Sequence, residues 1–147
     1  MITISRTLTV AAPAEAVFAY LKDFGNTNEW DPATRQTTRD GTGPLGVGAN
    51  WHNTSKVLGV RIELTYTLQA VERDHLVFVG RNEGTTSTDT VTVRPVAGGT
   101  EVTYRREFEM HGVAKLATPV MKIEFEKLGN ATATRLAGVL NRLTAAA

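Results

Sequence analysis

The chain has 147 residues, 16 of them basic and 15 acidic, and a formal net charge of +1 with no block of one sign; it therefore lacks the clustered basic face that binding to a nucleic-acid backbone needs. It has no cysteine, which excludes disulfides, thiolate metal sites and cysteine nucleophiles and makes a reducing cytoplasm the simplest compartment. The length suits one domain, 1–147, that buries roughly 70% of the surface its unfolded form exposes; with no leader pattern and no run near the roughly 20 apolar residues of a membrane span, a soluble cytoplasmic protein is expected.

Residues 2 to 10 alternate, with Ile2, Ile4, Leu8 and Val10 on one face and Thr3, Ser5, Thr7 and Thr9 on the other, the period of a strand; Arg6 is the exception on the apolar face. Pro13 then opens a helix in which Val17, Leu21 and Phe24 recur at helical spacing, ending near Asp23 to Gly25. Asn26, Thr27 or Asn28 caps a second, very short helix that carries Trp30 and stops at Asp31-Pro32. Thr34 to Arg39 is polar on both faces, as an edge strand is, and a glycine-rich turn, GTGPLGVG, leads to a strand beginning near Asn50. That turn has neither phosphate-loop spacing, and no helix follows it.

Val60, Ile62, Leu64, Tyr66, Leu68 and Ala70 alternate against polar neighbours, giving the longest strand and one expected to be central. Leu76 to Val79 is apolar on both faces, so periodicity assigns it no direction. Asp89 to Arg94 and Val102 to Phe108 are joined by Val96-Ala97-Gly98-Gly99, a hairpin signal. After His111-Gly112 the period changes: Met121, Phe125, Leu128, Thr132, Leu136, Val139 and Leu143 fall three and four apart, a helix of roughly 25 residues that frays in the Ala-rich tail. Pro119 either opens this helix or kinks one that begins near Val113. The order is strand, two helices, six strands, long helix: an α+β chain.

Few residues carry a chemical signal. His52, His75 and His111 lie far apart without a ligand-pair spacing, so no metal is expected, and no GxSxG or SxxK sequence marks an activated nucleophile. Trp30 reads as a lid or core residue. Trp51, Tyr66 and Tyr104 either fill the core or line a cavity. Centring the hairpin on Ala97-Gly98 sets Val93 opposite Val102, Val91 opposite Tyr104 and Asp89 opposite Arg106, all on the apolar face. A charged pair there is either a structural ion pair or an anchor for a ligand oxygen, unless the register slips and puts one of the two on the outer face.

The element order, with the stretches APAEAVFAYLKDFGNTNEWDP, GPLGVGANW, GGTEVTY, HGVAKLATPVM and RLAGVLNRL, resembles the bacterial polyketide cyclase/dehydrase-like branch of the START/birch-pollen-allergen (SRPBCC) superfamily over nearly the whole chain. The resemblance implies a helix-grip fold, a bent seven-stranded antiparallel sheet round the last helix with two short helices closing one end. That fold hosts carriers, aromatase/cyclases and co-chaperone domains, so function has to be argued from the site. The first expectation is a cavity between sheet and C-terminal helix that binds a small hydrophobic molecule (a lipid, terpenoid or polyketide) without a cofactor, contacted by Trp51, Tyr66, Asp89, Tyr104, Arg106, Met121 and Phe125. The alternatives are a polyketide cyclase or dehydratase, in which Arg106 stabilises an enolate while Asp89, Tyr66 or Tyr104 moves a proton, and a protein-interaction domain. Homodimerisation is left open.

Overall fold

A computed structural model describes residues 1–146. Strand β1 (Ile2–Val10) leads into helix α1 (Ala14–Lys22), a 3-10 turn (Phe24–Asn26) and helix α2 (Thr27–Trp30). Six strands follow: β2 (Thr34–Asp40), β3 (Asn50–Val57), β4 (Val60–Val71), β5 (His75–Arg81), β6 (Thr85–Val96) and β7 (Gly99–Met110). A second 3-10 segment (Gly112–Ala117) enters the long helix α3 (Thr118–Ala146). The end of the Ala-rich tail, at residue 147, lies outside the described residues.

All seven strands form one antiparallel sheet in the order β1-β7-β6-β5-β4-β3-β2. Six of them are sequential neighbours, and the first strand closes onto the last. As the polar pattern of 34–39 predicts, β2 is an edge. β4 lies inside the sheet, but its alternation is not clean to the end. The register shifts between Leu68 and Ala70, a bulge that takes Ala70 out of step, and Val60 at the other end is 58% exposed. β5 now has a direction: Leu76 and Phe78 are buried on the inner side, and Gly80 lies under Tyr66, whose ring would be 2.7 Å from any Cβ there.

The starts of α1 and α3 follow from proline. Pro13 sits one residue outside α1 in extended conformation, its carbonyl accepting the Val17 amide, with Glu15 in the first turn and Lys22 in the last, the arrangement a helix dipole favours. Pro119 lies in the first turn of α3, so it opens that helix and does not kink it. The expected face of α3 is the one that packs, Met121, Phe125, Thr132, Leu136 and Val139 being buried. Gly129 lets the helix approach β1; a Cβ at this position would be 2.8 Å from Ile4 Cγ2.

The apolar interior is in two parts. The larger gathers Val17, Leu21, Phe24, Trp51, Tyr66, Phe78, Val102 and Leu136 among others; the smaller holds Ile2, Ile4, Ala33, Val57, Phe108, Met110, Met121 and Phe125. Four inward rows pass from one to the other through polar residues. Arg6 lies between Ile4 and Leu8 on β1, Arg106 between Tyr104 and Phe108 on β7, Asn53 between Trp51 and Val57 on β3, and Thr132 between Phe125 and Leu136 on α3.

Leu136 is fully buried in the larger part. Leu136→Ala is expected to lower stability by about 2 to 5 kcal/mol through lost burial and the residual void, whereas Val120→Ala, at a side chain 59% exposed, is expected to change it by less than about 0.5 kcal/mol; urea denaturation of the two variants checks both.

Candidate functional site

The β6–β7 register is the one the hairpin alignment predicts: Asp89 pairs with Arg106, Val91 with Tyr104 and Val93 with Val102. Asp89, 1% exposed, and Arg106, with 16% of its side chain exposed, form a bidentate pair on the inner face. Arg106 Nε donates to Asp89 Oδ1 at 3.1 Å and Nη2 to Oδ2 at 2.7 Å. The same carboxylate accepts the Ser87 hydroxyl at 3.0 Å and the Tyr104 hydroxyl at 3.3 Å. Asp89 thus fills about the four acceptor positions that a carboxylate offers.

A second carboxylate completes the site. Asp31, where α2 stops, puts Oδ2 3.6 Å from Arg106 Nη2. Its own geometry is set by the turn it terminates: Oδ1 accepts the Ala33 amide and Oδ2 the Thr34 hydroxyl, each at 3.0 Å. From there the network runs to the sheet edge. Asn53 Nδ2 donates to Thr34 Oγ1 at 3.1 Å and to Thr37 Oγ1 at 2.8 Å. The Thr27 hydroxyl donates to the Phe24 carbonyl, so Thr37 is the donor in the 2.6 Å contact between the two threonines. Arg106 therefore stands between two aspartates, with Nη1 alone making no hydrogen bond to the described residues.

Electrostatics follow from this burial. Burial alone would lower the Arg106 pKa, but the charge of Asp89, with that of Asp31 adding to it, outweighs it and the guanidinium is held well above its ordinary range. Burial pushes the Tyr66 phenol up, with the charge of Asp89 adding to the effect, and pushes Tyr104 well up against the opposing pull of Arg106. Both tyrosines are neutral at ordinary pH, and Tyr104 donates to Asp89. They are not bases.

The remaining predicted residues divide. Tyr104, Arg106 and Phe125 border a space with Asp31, Leu128 and Thr132, but it is only 20 Å³, about enough for one water molecule. The roomy interior expected from sequence is filled at this point. Trp51 and Tyr66 are buried in the larger apolar part, where Phe24 stacks on Tyr66 at 4.3 Å and packs tilted against Trp51 at 5.9 Å. The Trp51 indole nitrogen is buried without a partner among the described residues. Met121 is buried beside Phe125 in the smaller part, and Trp30 is core, edge-on to Tyr104. A groove of 740 Å³ lies elsewhere, between α1, the β4–β5 turn and the end of β6, with Phe18, Val93 and Pro95 among its lining and no contact with Arg106. The histidines stand apart on the surface, His52 against Glu63, His75 against Asp74 and His111 against Thr86.

Sequence reasoning missed Asp31, Ser87 and the Thr27–Thr37–Asn53 cluster. Ser87 was readable, lying two residues before Asp89 on the same face. Asp31 was not, because its tie to Arg106 crosses from a helix end to the far strand.

A sheet that closes its first strand on its last, carries a long C-terminal helix on its inner side and has two short helices after β1 is a START-type helix-grip fold. The chain belongs to the family described as polyketide cyclase/dehydrase and lipid transport, whose model matches residues 1–143. Among solved structures it is similar to a START superfamily protein from Mycobacterium smegmatis (14% identity, 96% of this chain and 98% of that one, TM-score 0.78). It is also similar to the Zhui aromatase/cyclase from Streptomyces sp. R1128 (15% identity, 95% and 93%, TM-score 0.79). A di-domain aromatase/cyclase, StfQ of the steffimycin biosynthetic pathway, matches 99% of this chain with 52% of its own (14% identity, TM-score 0.71). At such identities these likenesses are of fold. Comparison of the sequence with curated proteins finds no match.

Two outcomes test the site. Arg106→Met leaves two buried carboxylates facing each other and is expected to cost about 3 to 5 kcal/mol; Asp89→Asn is expected to cost less than the sum of the parts when combined with it, a non-additivity that a double-mutant cycle in urea measures. In alkali, the native state keeps phenol protons that the unfolded chain loses above the ordinary value of 10.0. Stability is therefore fully present below that pH and falls as pH rises beyond it toward the raised folded values; Tyr66→Phe is expected to flatten this fall in melting experiments.

Proposed function

We propose that the protein binds a small hydrophobic molecule carrying a neutral oxygen, a hydroxyl or carbonyl, between the sheet and α3, with the oxygen accepting from Arg106 Nη1. The observation that carries this reading is the placing of Arg106 between two aspartates, one of which, Asp89, already accepts from four donors. With one guanidinium and two carboxylates, the cluster is formally negative before any ligand arrives. A ligand carboxylate would add a third negative charge in a poorly solvated place, while a neutral acceptor adds none. Arg106 Nη1 has both its donors to spare among the described residues, while Nη2 is held toward the two aspartates. The walls beside it, Ile4, Phe125 and Leu128, suit an apolar body.

The space of 20 Å³ requires that such a ligand open the interior. The smaller apolar part lies under the first half of α3, and this half is the wall that moves in our reading: Met121 and Phe125 are its buried contacts, while Val120 and Ile123 on its other side are 59% and 64% exposed. The cyclase alternative has a specific observation in its favour, the convergence of Tyr104 and Asp89 on one point. The same hydrogen bonds weigh against it. Asp89 already accepts from four donors, and the two phenols are pushed up, so neither a free base nor a tyrosinate is at hand.

Decan-1-ol, 2-decanone and decanoate form a matched test. The alcohol and the ketone are expected to bind with about micromolar affinity, and at about a hundredfold excess over Kd to stabilise the fold by about 2.7 kcal/mol, with decanoate at least about tenfold weaker, a difference of about 1.4 kcal/mol. Thermal shift and titration calorimetry read both. Preference for decanoate would overturn the neutral-oxygen reading, and failure of all three to bind would overturn the binding reading.

A further inference from the structure

Eight large apolar side chains are exposed among the described residues, and six of them come from two short segments. Leu58 and Val60, 51% and 58% exposed, form the tip of the β3–β4 hairpin; Val113, Leu116, Val120 and Ile123, 59% to 88% exposed, run from the 3-10 segment into α3. Both segments are rooted in the same place. Val57, beside the hairpin tip, is buried in one cluster with Met121 and Phe125, and Ala114 packs against it. The two exposed sets therefore flank one end of the molecule.

Charge in these segments has one sign. The hairpin tip reads Lys56-Val57-Leu58-Gly59-Val60-Arg61 and the other segment runs from Gly112 to Ile123 with Lys115 and Lys122; neither contains a carboxylate, in a chain with 16 basic and 15 acidic residues. Lys56, Lys115 and Lys122 form no salt bridge among the described residues, and Arg61 meets only Glu63, at 3.4 Å. Glu124 follows directly after the second segment.

Leu58 adds a separate observation. Val57 pairs with Val60 across a two-residue turn in which Leu58 and Gly59 have φ of 52° and 76°. Both lie in the left-handed region that such a hairpin turn demands, where asparagine followed by glycine is the favoured choice and a bulky side chain is strained. The chain thus holds an aliphatic side chain in water at the one non-glycine position with positive φ among the described residues. Strain maintained for no gain in packing points to a use.

From these observations we infer that this end of the protein docks on a lipid bilayer with anionic headgroups, Leu58, Val60, Val113, Leu116, Val120 and Ile123 entering the acyl boundary while Lys56, Arg61, Lys115 and Lys122 meet the phosphates. Aliphatic tips on two separate segments that carry Lys56, Arg61, Lys115 and Lys122 and no acid of their own, with Glu63 and Glu124 just outside them, match the apolar-plus-cationic surface of interfacial binding. Long lysine stems let their ammonium groups reach the headgroups while the tips insert. A protein interface would instead be expected to centre on tryptophan, tyrosine or arginine anchors, and the six side chains are all aliphatic. This docking does not depend on what occupies the interior.

Cosedimentation with vesicles tests it. The protein is expected to bind vesicles of equimolar phosphatidylcholine and phosphatidylglycerol, to bind phosphatidylcholine alone more weakly, and to be released by salt. Leu116→Ser with Val113→Ser is expected to weaken binding by about tenfold or more, since each buried methylene contributes. Leu58→Asn gives the sharper outcome: it is expected to raise the melting temperature by relieving the turn and yet to weaken vesicle binding, so lost binding cannot be put down to lost folding. No binding to the mixed vesicles, or binding that Leu58→Asn and Leu116→Ser leave unchanged, overturns the inference. So does a concentration-dependent dimer in analytical ultracentrifugation that the same substitutions abolish, which would assign this end to a second copy of the chain.

Discussion

The guanidinium of Arg106, held between Asp89 and Asp31, is the constraint on which the rest of the structure depends. A charge this far from water is tolerable only where opposite charge and hydrogen bonds meet it. Asp89 answers from the neighbouring strand, directly across the ladder, and so ties the β6–β7 register. A slip of one residue would turn Arg106 or Asp89 to the opposite face and leave its partner alone. Asp31 answers from the end of α2, which ties the two short helices to the far strand and, through Thr34, Thr37 and Asn53, to the sheet edge. The polar layer thus links elements that the apolar clusters only press together.

That layer also gives the molecule two unlike ends. On one side lies the large, aromatic-rich cluster with α1 and the last turns of α3; on the other, the small cluster under the start of α3, where exposed aliphatic side chains gather. Local stability tracks the number of buried apolar contacts. The small cluster, bounded by a 3-10 segment and a strained hairpin tip, is where the fold has least to lose by opening. A ligand that reaches Arg106 and a surface that meets lipid would use the same end, which is physically economical and consistent with a family that spans cyclases and lipid transport.

Much of this was legible in the amino-acid order. Period-2 alternation marks β1 and most of β4, the change to spacings of three and four marks α3, and the Ala97-Gly98 turn set a register that placed Asp89 opposite Arg106. Such features are local: each depends on residues a few positions apart, where side-chain direction is dictated by the backbone period. Boundaries and bulges were less readable. Ala70 falls out of step because an extra residue near Gln69 interrupts the ladder, and Pro13 lies just outside α1.

What the sequence determined by itself, then, is the order and type of the elements, the inward faces of every strand with clean alternation and one charged pair, because these follow from short-range periodicity and turn chemistry. Tertiary structure alone decided that Asp31 joins that pair, that Trp51 and Tyr66 pack in the core, that the space beside Arg106 shrinks to 20 Å³ and that six exposed aliphatic residues share one end. Each of these depends on how distant segments meet. Packing density is a property of the whole interior, and no local pattern records how closely a helix will settle onto a sheet.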